Sequence, residues 1–185
     1  GVYLRDGIGM EKNEELSIQY FKKAAEQGIV RAMMNLGLLY EKGCEGVEID
    51  LEESAKYFKM GADKDDSSCI LKYVEMVRKG TGIEKNIEEA LKYLQKGLEQ
   101  EDSDSLYIYG DMLYAGEGME QNYEEAAKYF KKAADKGNRN GMLRYSEMLK
   151  NGKGIEQNNE ESIKYLQMAI QHGALENAEI GCGIN

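Results

Sequence analysis

The sequence predicts an all-α fold in which pairs of helices stack into a solenoid. Two observations carry this prediction: the chain repeats itself about every 36 residues, and the repeats contain apolar stripes with helical spacing. A two-helix unit of this size cannot bury its own apolar face, so neighbouring units must share one core. The register is clearest at positions separated by 37, 36, 36 and 36 residues, namely Asn13, Asp50, Asn86, Asn122 and Asn158.

The second helix of each repeat is represented by the segment NYEEAAKYFKKAADKGN at residues 122–138. Asn122 is placed to cap this helix, and Glu125 to complete a capping box by accepting a hydrogen bond from the amide of the cap residue. Four apolar residues at i, i+3, i+4 and i+7 form a stripe on one face. We expect the stripe to be buried, so replacing Tyr129 by Ala should cost about 3–5 kcal/mol. The stripe consists of Ala126, Tyr129, Phe130 and Ala133.

The first helix of each repeat starts near a small residue and ends at a glycine. The small residues, which permit close approach of helices, are Ala32, Cys69, Ser105 and Gly141. The glycines, which can take the left-handed conformation that ends a helix, are Gly43, Gly80, Gly116 and Gly152. This pattern predicts a single repeat array, with a partial repeat at 1–28, full repeats at 32–65, 69–101, 105–137 and 141–173, and a truncated repeat at 174–185.

Composition argues against several classes of partner and compartment. The net charge of -10 argues against nucleic acid, because binding to phosphates depends on clustered Lys and Arg. No apolar run approaches the length of about 18–20 residues that spans a bilayer, so membrane insertion is not expected. The three cysteines, Cys44, Cys69 and Cys182, do not recur at one repeat position, which indicates no disulfide framework and favours a reducing, cytoplasmic location.

The residues that resemble catalytic motifs are explained by the repeat. The Gly-x-Gly connectors lack the Gly-Lys-Ser/Thr of a phosphate loop and recur as helix-to-helix turns. The paired glutamates recur in first helical turns, where negative charge favours the helix dipole and the cap. His172 is the only histidine, and a metal site or a nucleophile with its base normally needs more. We therefore predict no catalytic residue, metal or cofactor, and no enzymatic activity.

The sequence resembles the Sel1-like repeat family, a 36-residue relative of the tetratricopeptide repeat. The resemblance is carried by AMMNLGLLYEKG, AGEGMEQNYEEAAKYFKKAADKG and GIGMEKNEELSIQYFKKAAEQG, and it covers essentially the whole chain. It implies a right-handed superhelix of antiparallel helix pairs that acts as a scaffold or adaptor, with binding on the concave side and no chemistry. The repeat around Cys69 departs from the family, since Val74 replaces Gly and Val77 replaces Tyr.

The resemblance also implies candidate partner-binding residues. In the tetratricopeptide family, the concave surface is lined by first-helix positions three before, and one and four after, the small Gly position. The equivalent positions here form a mixed apolar and acidic face, which favours a protein or peptide partner that carries Lys or Arg. A simpler interpretation is that half of these residues pack against the neighbouring first helix. The candidates are Met34, Leu38, Glu41, Leu71, Glu75, Arg78, Tyr107, Asp111, Tyr114, Leu143, Glu147 and Lys150.

Two other functions remain open at this point. The chain resembles the interior of a helix from its first residues and ends in a broken repeat at Cys182, as expected for a fragment. It could therefore be a regulatory or substrate-docking segment of a larger enzyme, such as a kinase or a ubiquitin ligase. Binding of a glycan or another small ligand in the concavity is the third hypothesis, and it predicts a denser cluster of aromatic and polar residues. No oligomeric state is predicted.

Overall fold

The described residues of the chain form nine α-helices, which confirms the predicted all-α helical repeat fold. The computed structural model describes residues 14–43 and 47–182; Asn13 and Cys44 lie outside them. The helices are α1 (Glu14–Glu26), α2 (Val30–Lys42), α3 (Leu51–Ala62), α4 (Ser67–Lys79), α5 (Ile87–Glu99), α6 (Ser103–Ala115), α7 (Tyr123–Asp135), α8 (Arg139–Asn151) and α9 (Asn159–Cys182). Two compact units divide the chain at residues 1–97 and 98–185.

In the first unit, consecutive helices from α1 to α4 pack against each other. The side chains of Leu36, Phe58 and Tyr73 are completely buried, as the helical spacing of the apolar residues predicts. Cys69 is also completely buried, and a Cβ placed on Gly61 would lie 2.3 Å from its Sγ atom. The predicted close approach of helices at this small-residue position is therefore confirmed.

In the second unit, consecutive helices from α6 to α9 pack against each other around a core that includes Phe130, Met142 and Leu149. Phe130 is completely buried, whereas Tyr129 is only partly buried and packs edge-on against Tyr109, with 4.7 Å between ring centroids. The predicted cost of replacing Tyr129 was therefore assigned to the wrong residue of the stripe. The loss of about 3–5 kcal/mol belongs to a fully buried ring such as that of Phe130.

The caps of the second helices are as predicted, but the capping boxes are not. The side chains of Asp50, Asn86, Asn122 and Asn158 each accept a hydrogen bond from the amide three residues later, over 2.9–3.0 Å. The amide of each cap residue, however, donates to a carbonyl of the preceding first helix, as Asn122 does to Leu113 over 3.0 Å. This bond replaces the glutamate acceptor of a capping box and fixes the connector to the first helix.

The glycines end the first helices as predicted. Gly80, Gly116 and Gly152 have φ values of 74°, 72° and 64°, and each amide donates to the carbonyl four residues earlier. The second connector glycine has a different role, because a Cβ on Gly154 would lie 2.4 Å from the backbone of Tyr123. This connector therefore rests directly on the start of α7.

Helix α9 continues to Cys182 without a break at residue 173, where the second helix of the last full repeat is predicted to end. Each earlier second helix is followed by a residue with positive φ, as at Gly137, and after α3, α5 and α7 this residue precedes an Asp or Asn cap, as at Asn138. Gly173 remains helical and is followed by Ala174, which cannot cap a new helix. The repeat boundaries themselves stay a prediction.

Candidate functional site

The twelve candidate residues lie on first helices, and none of them is buried. In the first unit they lie on α2 and α4, and in the second unit on α6 and α8. Glu75, Leu143, Glu147 and Lys150 are exposed, while the other eight are partly exposed. The face is therefore accessible in each unit, but its charges are not free, because several of the predicted acidic residues already hold a cation of the same chain.

In the first unit, an ion pair crosses between two first helices. Lys72 on α4 donates to both carboxylate oxygens of Glu41 on α2, over 2.9 and 3.0 Å. The Lys72 ammonium also lies 5.9 Å from the ring centroid of Phe58. Glu75 binds Lys79 one turn further along α4. The carboxylates that were expected to attract a basic partner are thus partly neutralised in this unit.

In the second unit, Arg144 on α8 connects the candidates of two first helices. Its guanidinium lies 3.5 Å from Asp111, 3.4 Å from Glu147 and 5.6 Å from the ring centroid of Tyr114. Burial opposes the charged form, but the hydrogen bond with the Tyr107 hydroxyl and the nearby carboxylates leave the pKa of Arg144 raised. Four predicted residues are therefore brought together by a cation that the sequence did not single out.

Beside this group, a lysine from the connector after α8 lies against two tyrosine rings. The ammonium of Lys153 is 4.3 Å from the ring centroid of Tyr114 and 4.0 Å from that of Tyr123. It donates a hydrogen bond of 2.8 Å to the Tyr114 hydroxyl, which raises the pKa of Lys153. The two rings are 5.1 Å apart at an interplanar angle of 64°, so the ammonium meets two aromatic surfaces at once.

We call this group the α6–α8 patch. Two of its rings pack on the core, because Tyr107 and Tyr114 both contact the buried Phe130, with centroid distances of 5.9 and 6.4 Å. The two tyrosines thus contribute to the core and to the surface at the same time. Leu143 and Lys150 lie on the same helix as Arg144 but are not part of this group. The patch consists of Tyr107, Asp111, Tyr114, Tyr123, Arg144, Glu147 and Lys153.

Two further clusters, one in each unit, were not predicted. In the second unit, the ammonium of Lys131 donates to Asp135 over 2.9 Å and to the Tyr165 hydroxyl over 3.1 Å. It lies 5.9 Å from the ring centroid of Tyr145 and 5.8 Å from that of Tyr165. The hydrogen bonds to Asp135 and Tyr165 raise the pKa of Lys131.

The equivalent cluster of the first unit surrounds Lys59, which precedes Lys131 by 72 residues, or two repeats. Lys59 donates to Glu89 over 2.7 Å and lies 5.4 Å from the ring centroid of Tyr73 and 5.9 Å from that of Tyr93. The hydrogen bonds from Lys59 and Tyr73 lower the pKa of Glu89. Both clusters contain tyrosines at equivalent repeat positions, Tyr73 and Tyr93 in the first unit and Tyr145 and Tyr165 in the second. The sequence could have indicated these clusters through the lysines that stand two residues after Tyr57 and Tyr129.

Each cluster borders an open groove between a second helix and the next connector. The groove of the first unit has a volume of about 550 Å³ and is lined by Lys59, Tyr73 and Ile83, among others. That of the second unit has a volume of about 360 Å³ and includes Lys131, Tyr145 and Ile155. The polar groups of the two clusters bind each other within the protein, which indicates a role in holding consecutive repeats together.

Other chemically reactive features are limited in the described part of the chain. Burial raises the pKa of the Cys69 thiol to about 12, so this cysteine remains protonated. The described residues contain no group of three or more His, Cys, Asp or Glu side chains that could hold a metal ion. None of the described helices combines the length and hydrophobicity required to span a bilayer.

The helix pairs and their first-helix faces define an all-α helical repeat protein. The chain belongs to the Sel1 repeat family, whose family model matches residues 1–29, 30–66, 75–102, 103–138 and 140–173. Proteins built from these repeats generally act as non-catalytic scaffolds for protein–protein interactions. A comparison with curated proteins gave no match.

Solved structures with the same fold include a Sel1 repeat protein from Oxalobacter formigenes. It is 28% identical, with a TM-score of 0.86, over 93% of this chain and 68% of that one. The protective antigen c5321 of uropathogenic Escherichia coli, which displays an SLR fold, is 27% identical with a TM-score of 0.84, over 93% of this chain and 37% of its own length. Cysteine-rich protein B of Helicobacter pylori shares the fold at 23% identity and a TM-score of 0.55, over 74% of this chain and 96% of that one.

Proposed function

We propose that this protein is a non-catalytic scaffold that binds a peptide or protein surface on the face of its first helices. The observation that carries the proposal is the α6–α8 patch, where partly exposed tyrosines, an arginine and two carboxylates lie close together above the buried ring of Phe130. Tyr and Arg are the residues that most often dominate binding energy at protein interfaces. Tyrosine also supplies a large contact area with little conformational entropy to lose.

The buried ring under the patch matters because a preorganised surface binds with a smaller entropic cost. Phe130 is completely buried under the rings of Tyr107 and Tyr114. The guanidinium of Arg144 holds the neighbouring helix against Asp111. A partner would therefore meet a surface whose aromatic anchors are already in place.

The overall charge of the chain favours a basic partner. Within the patch, Asp111 and Glu147 lie 3.5 and 3.4 Å from the guanidinium of Arg144. With Lys153 included, the two carboxylates and the two cations of the patch balance, so the attraction for a basic segment comes from the net charge of -10 on the whole chain. Complementary charge would steer a Lys- or Arg-containing segment to this face and set its register.

The test is an affinity capture from lysate of the source cells with three baits. The first is the parent chain, and the second is the double variant Asp111→Lys/Glu147→Lys, which reverses both carboxylates of the patch. The third, Glu120→Lys/Glu156→Lys, makes the same change of charge at two exposed connector residues of the same unit. Far-UV circular dichroism and thermal unfolding establish that all three baits are equally folded.

We expect a specific protein to be retained by the parent and by the connector variant, and to be lost from the patch variant. Retention by all three baits would place the interaction elsewhere on the chain and would contradict the proposal. Loss from both variants would show that binding depends only on net charge, which also contradicts it.

A further inference from the structure

Tyr114 and Tyr123, the two rings of the α6–α8 patch that contact Lys153, are particular to one repeat. The positions 36 residues before and after Tyr114 hold Arg78 and Lys150. Those equivalent to Tyr123 hold Ile87 and Asn159. Because the other repeats form the same helix pairs without these rings, the fold does not require two tyrosines here.

The lysine that meets the rings is equally particular. At the middle position of the Gly-x-Gly connector, the two preceding repeats have Thr81 and Glu117 in place of Lys153. The connector backbone is fixed, since a Cβ on Gly154 would lie 2.4 Å from the backbone of Tyr123. The position of the connector backbone therefore places the flexible four-carbon side chain of Lys153 beside the two rings.

The contact is a cation–π interaction, which another cation can also make with the same rings. The described contacts of the Lys153 ammonium are with Tyr114 and Tyr123, at 4.3 and 4.0 Å from the ring centroids and 2.8 Å from the Tyr114 hydroxyl. Ammonium and guanidinium groups bind tyrosine faces by the same electrostatic attraction, most favourably for planar guanidinium groups that also stack. When Lys153 turns away, the patch loses one of its two cations and keeps the carboxylates of Asp111 and Glu147 beside Arg144.

We propose that Tyr114 and Tyr123 form the binding site for an arginine or lysine side chain of the partner, and that Lys153 occupies this site in the free protein as an internal competitor. This inference rests on the proposed function, because it names the partner group that the same face would take. Binding then proceeds by exchange of one cation for another. The apparent affinity for the partner is therefore proportional to the fraction of molecules in which Lys153 does not fill the site.

The experiment measures binding of a small cationic probe directly. The peptide acetyl-Gly-Arg-Gly-amide is titrated into protein with ¹³C-labelled tyrosine rings, and the ring resonances of Tyr114 and Tyr123 are followed by NMR. The matched peptide contains citrulline, which has the shape of arginine but no charge. Lys153→Ala removes the internal competitor, and Lys164→Ala is the control, because it removes the same charge from an exposed position on α9.

We expect Lys153→Ala to bind the arginine peptide at least about threefold more tightly than the parent chain, as removal of a competitor that fills most sites requires. Lys164→Ala should bind like the parent, and the citrulline peptide should not shift the two rings. Equal affinity of Lys153→Ala and the parent would overturn the inference. So would an equal gain in Lys164→Ala, or equal binding of the citrulline peptide.

Failure of this inference is distinguishable from failure of the proposed function. In the affinity capture, Lys153→Ala is added as a fourth bait. A protein that depends on Asp111 and Glu147 but is retained no better by Lys153→Ala would support the scaffold function and contradict the role of Lys153. A tighter peptide complex of Lys153→Ala, without any protein that depends on the patch, would support the cation site and contradict the proposed scaffold function.

Discussion

Gly110 on α6 lies against the ring of Phe130 on α7, and its replacement by alanine tests how the two helices of a repeat fit together. A Cβ on Gly110 would lie 2.9 and 3.0 Å from two carbon atoms of the ring. Alanine is favoured over glycine inside a helix by about 1 kcal/mol. The close contact should reverse this gain, because overpacking of a well-filled core costs about 1–3 kcal/mol. We expect a net loss of up to about 2 kcal/mol.

The other repeats show how the contact could be relieved. Gly37 faces Phe58 in the same way, and a Cβ on Gly37 would lie 2.5 Å from the ring. Two other repeats have Val74 and Ser146 at the position of this glycine, and they have the smaller Leu94 and Leu166 at the position of the phenylalanine. Within this chain, glycine is therefore paired with phenylalanine, and a larger residue with leucine. The change Phe130→Leu should cost about 1 kcal/mol alone and should make room for the methyl group of Gly110→Ala.

Urea unfolding followed by circular dichroism measures the single variants and the double variant. We expect the double variant to be more stable than the sum of the single effects predicts, by about 1–2 kcal/mol. The control combines Gly110→Ala with Phe58→Leu, the ring that faces Gly37, and should be additive within about 0.5 kcal/mol. Additivity of Gly110→Ala with Phe130→Leu would refute the close contact and with it the proposed volume compensation.

Two further predictions concern buried polar groups. The Ser105 hydroxyl is buried and has no hydrogen-bond partner among the described residues, so Ser105→Ala should raise the melting temperature. Ser162→Ala removes a buried hydrogen bond of 2.8 Å and should lower the melting temperature. A lower melting temperature in both variants would contradict the assignment of Ser105 as a group without a partner. The pKa of Glu89 is lowered in the folded protein below the ordinary value of 4.5, so its stabilisation is present above that pH and is lost as the pH falls through the lowered value. The free energy of unfolding of Glu89→Gln should therefore be about 1 kcal/mol lower than that of Glu88→Gln at neutral pH, and this difference should disappear in acid. A difference that does not depend on pH would show that the carboxylate charge is not the cause.

The sequence predicted the helices and most of their ends because these depend on residues close together in the chain. The helical spacing of apolar residues, the side-chain caps at Asp50 and Asn122, and the glycine at the end of α8 act within a few positions. The burial order inside the stripe was predicted less well. Tyr129 and Phe130 are adjacent, and only the position of the facing helix determines which ring is completely buried.

The candidate site was predicted through its repeat positions, but not through its contacts. Tyr107, Asp111 and Tyr114 were identified because the resemblance to the tetratricopeptide family implies binding residues three before, and one and four after, the small Gly position of the first helix. Arg144 was missed because its position carries no repeat signal. Lys153 was missed because a cation inside a Gly-x-Gly connector indicates only an exposed turn.

By itself, the sequence determined the repeat period, the all-α fold and the placement of caps and helix ends, because each of these follows from local backbone and side-chain preferences. The tertiary structure alone decided which charges meet. Arg144 reaches Asp111 across 33 residues, and Lys153 reaches Tyr114 across 39. Such distances in sequence become contacts only when neighbouring repeats pack, since packing sets the separation and the rotation of their helices.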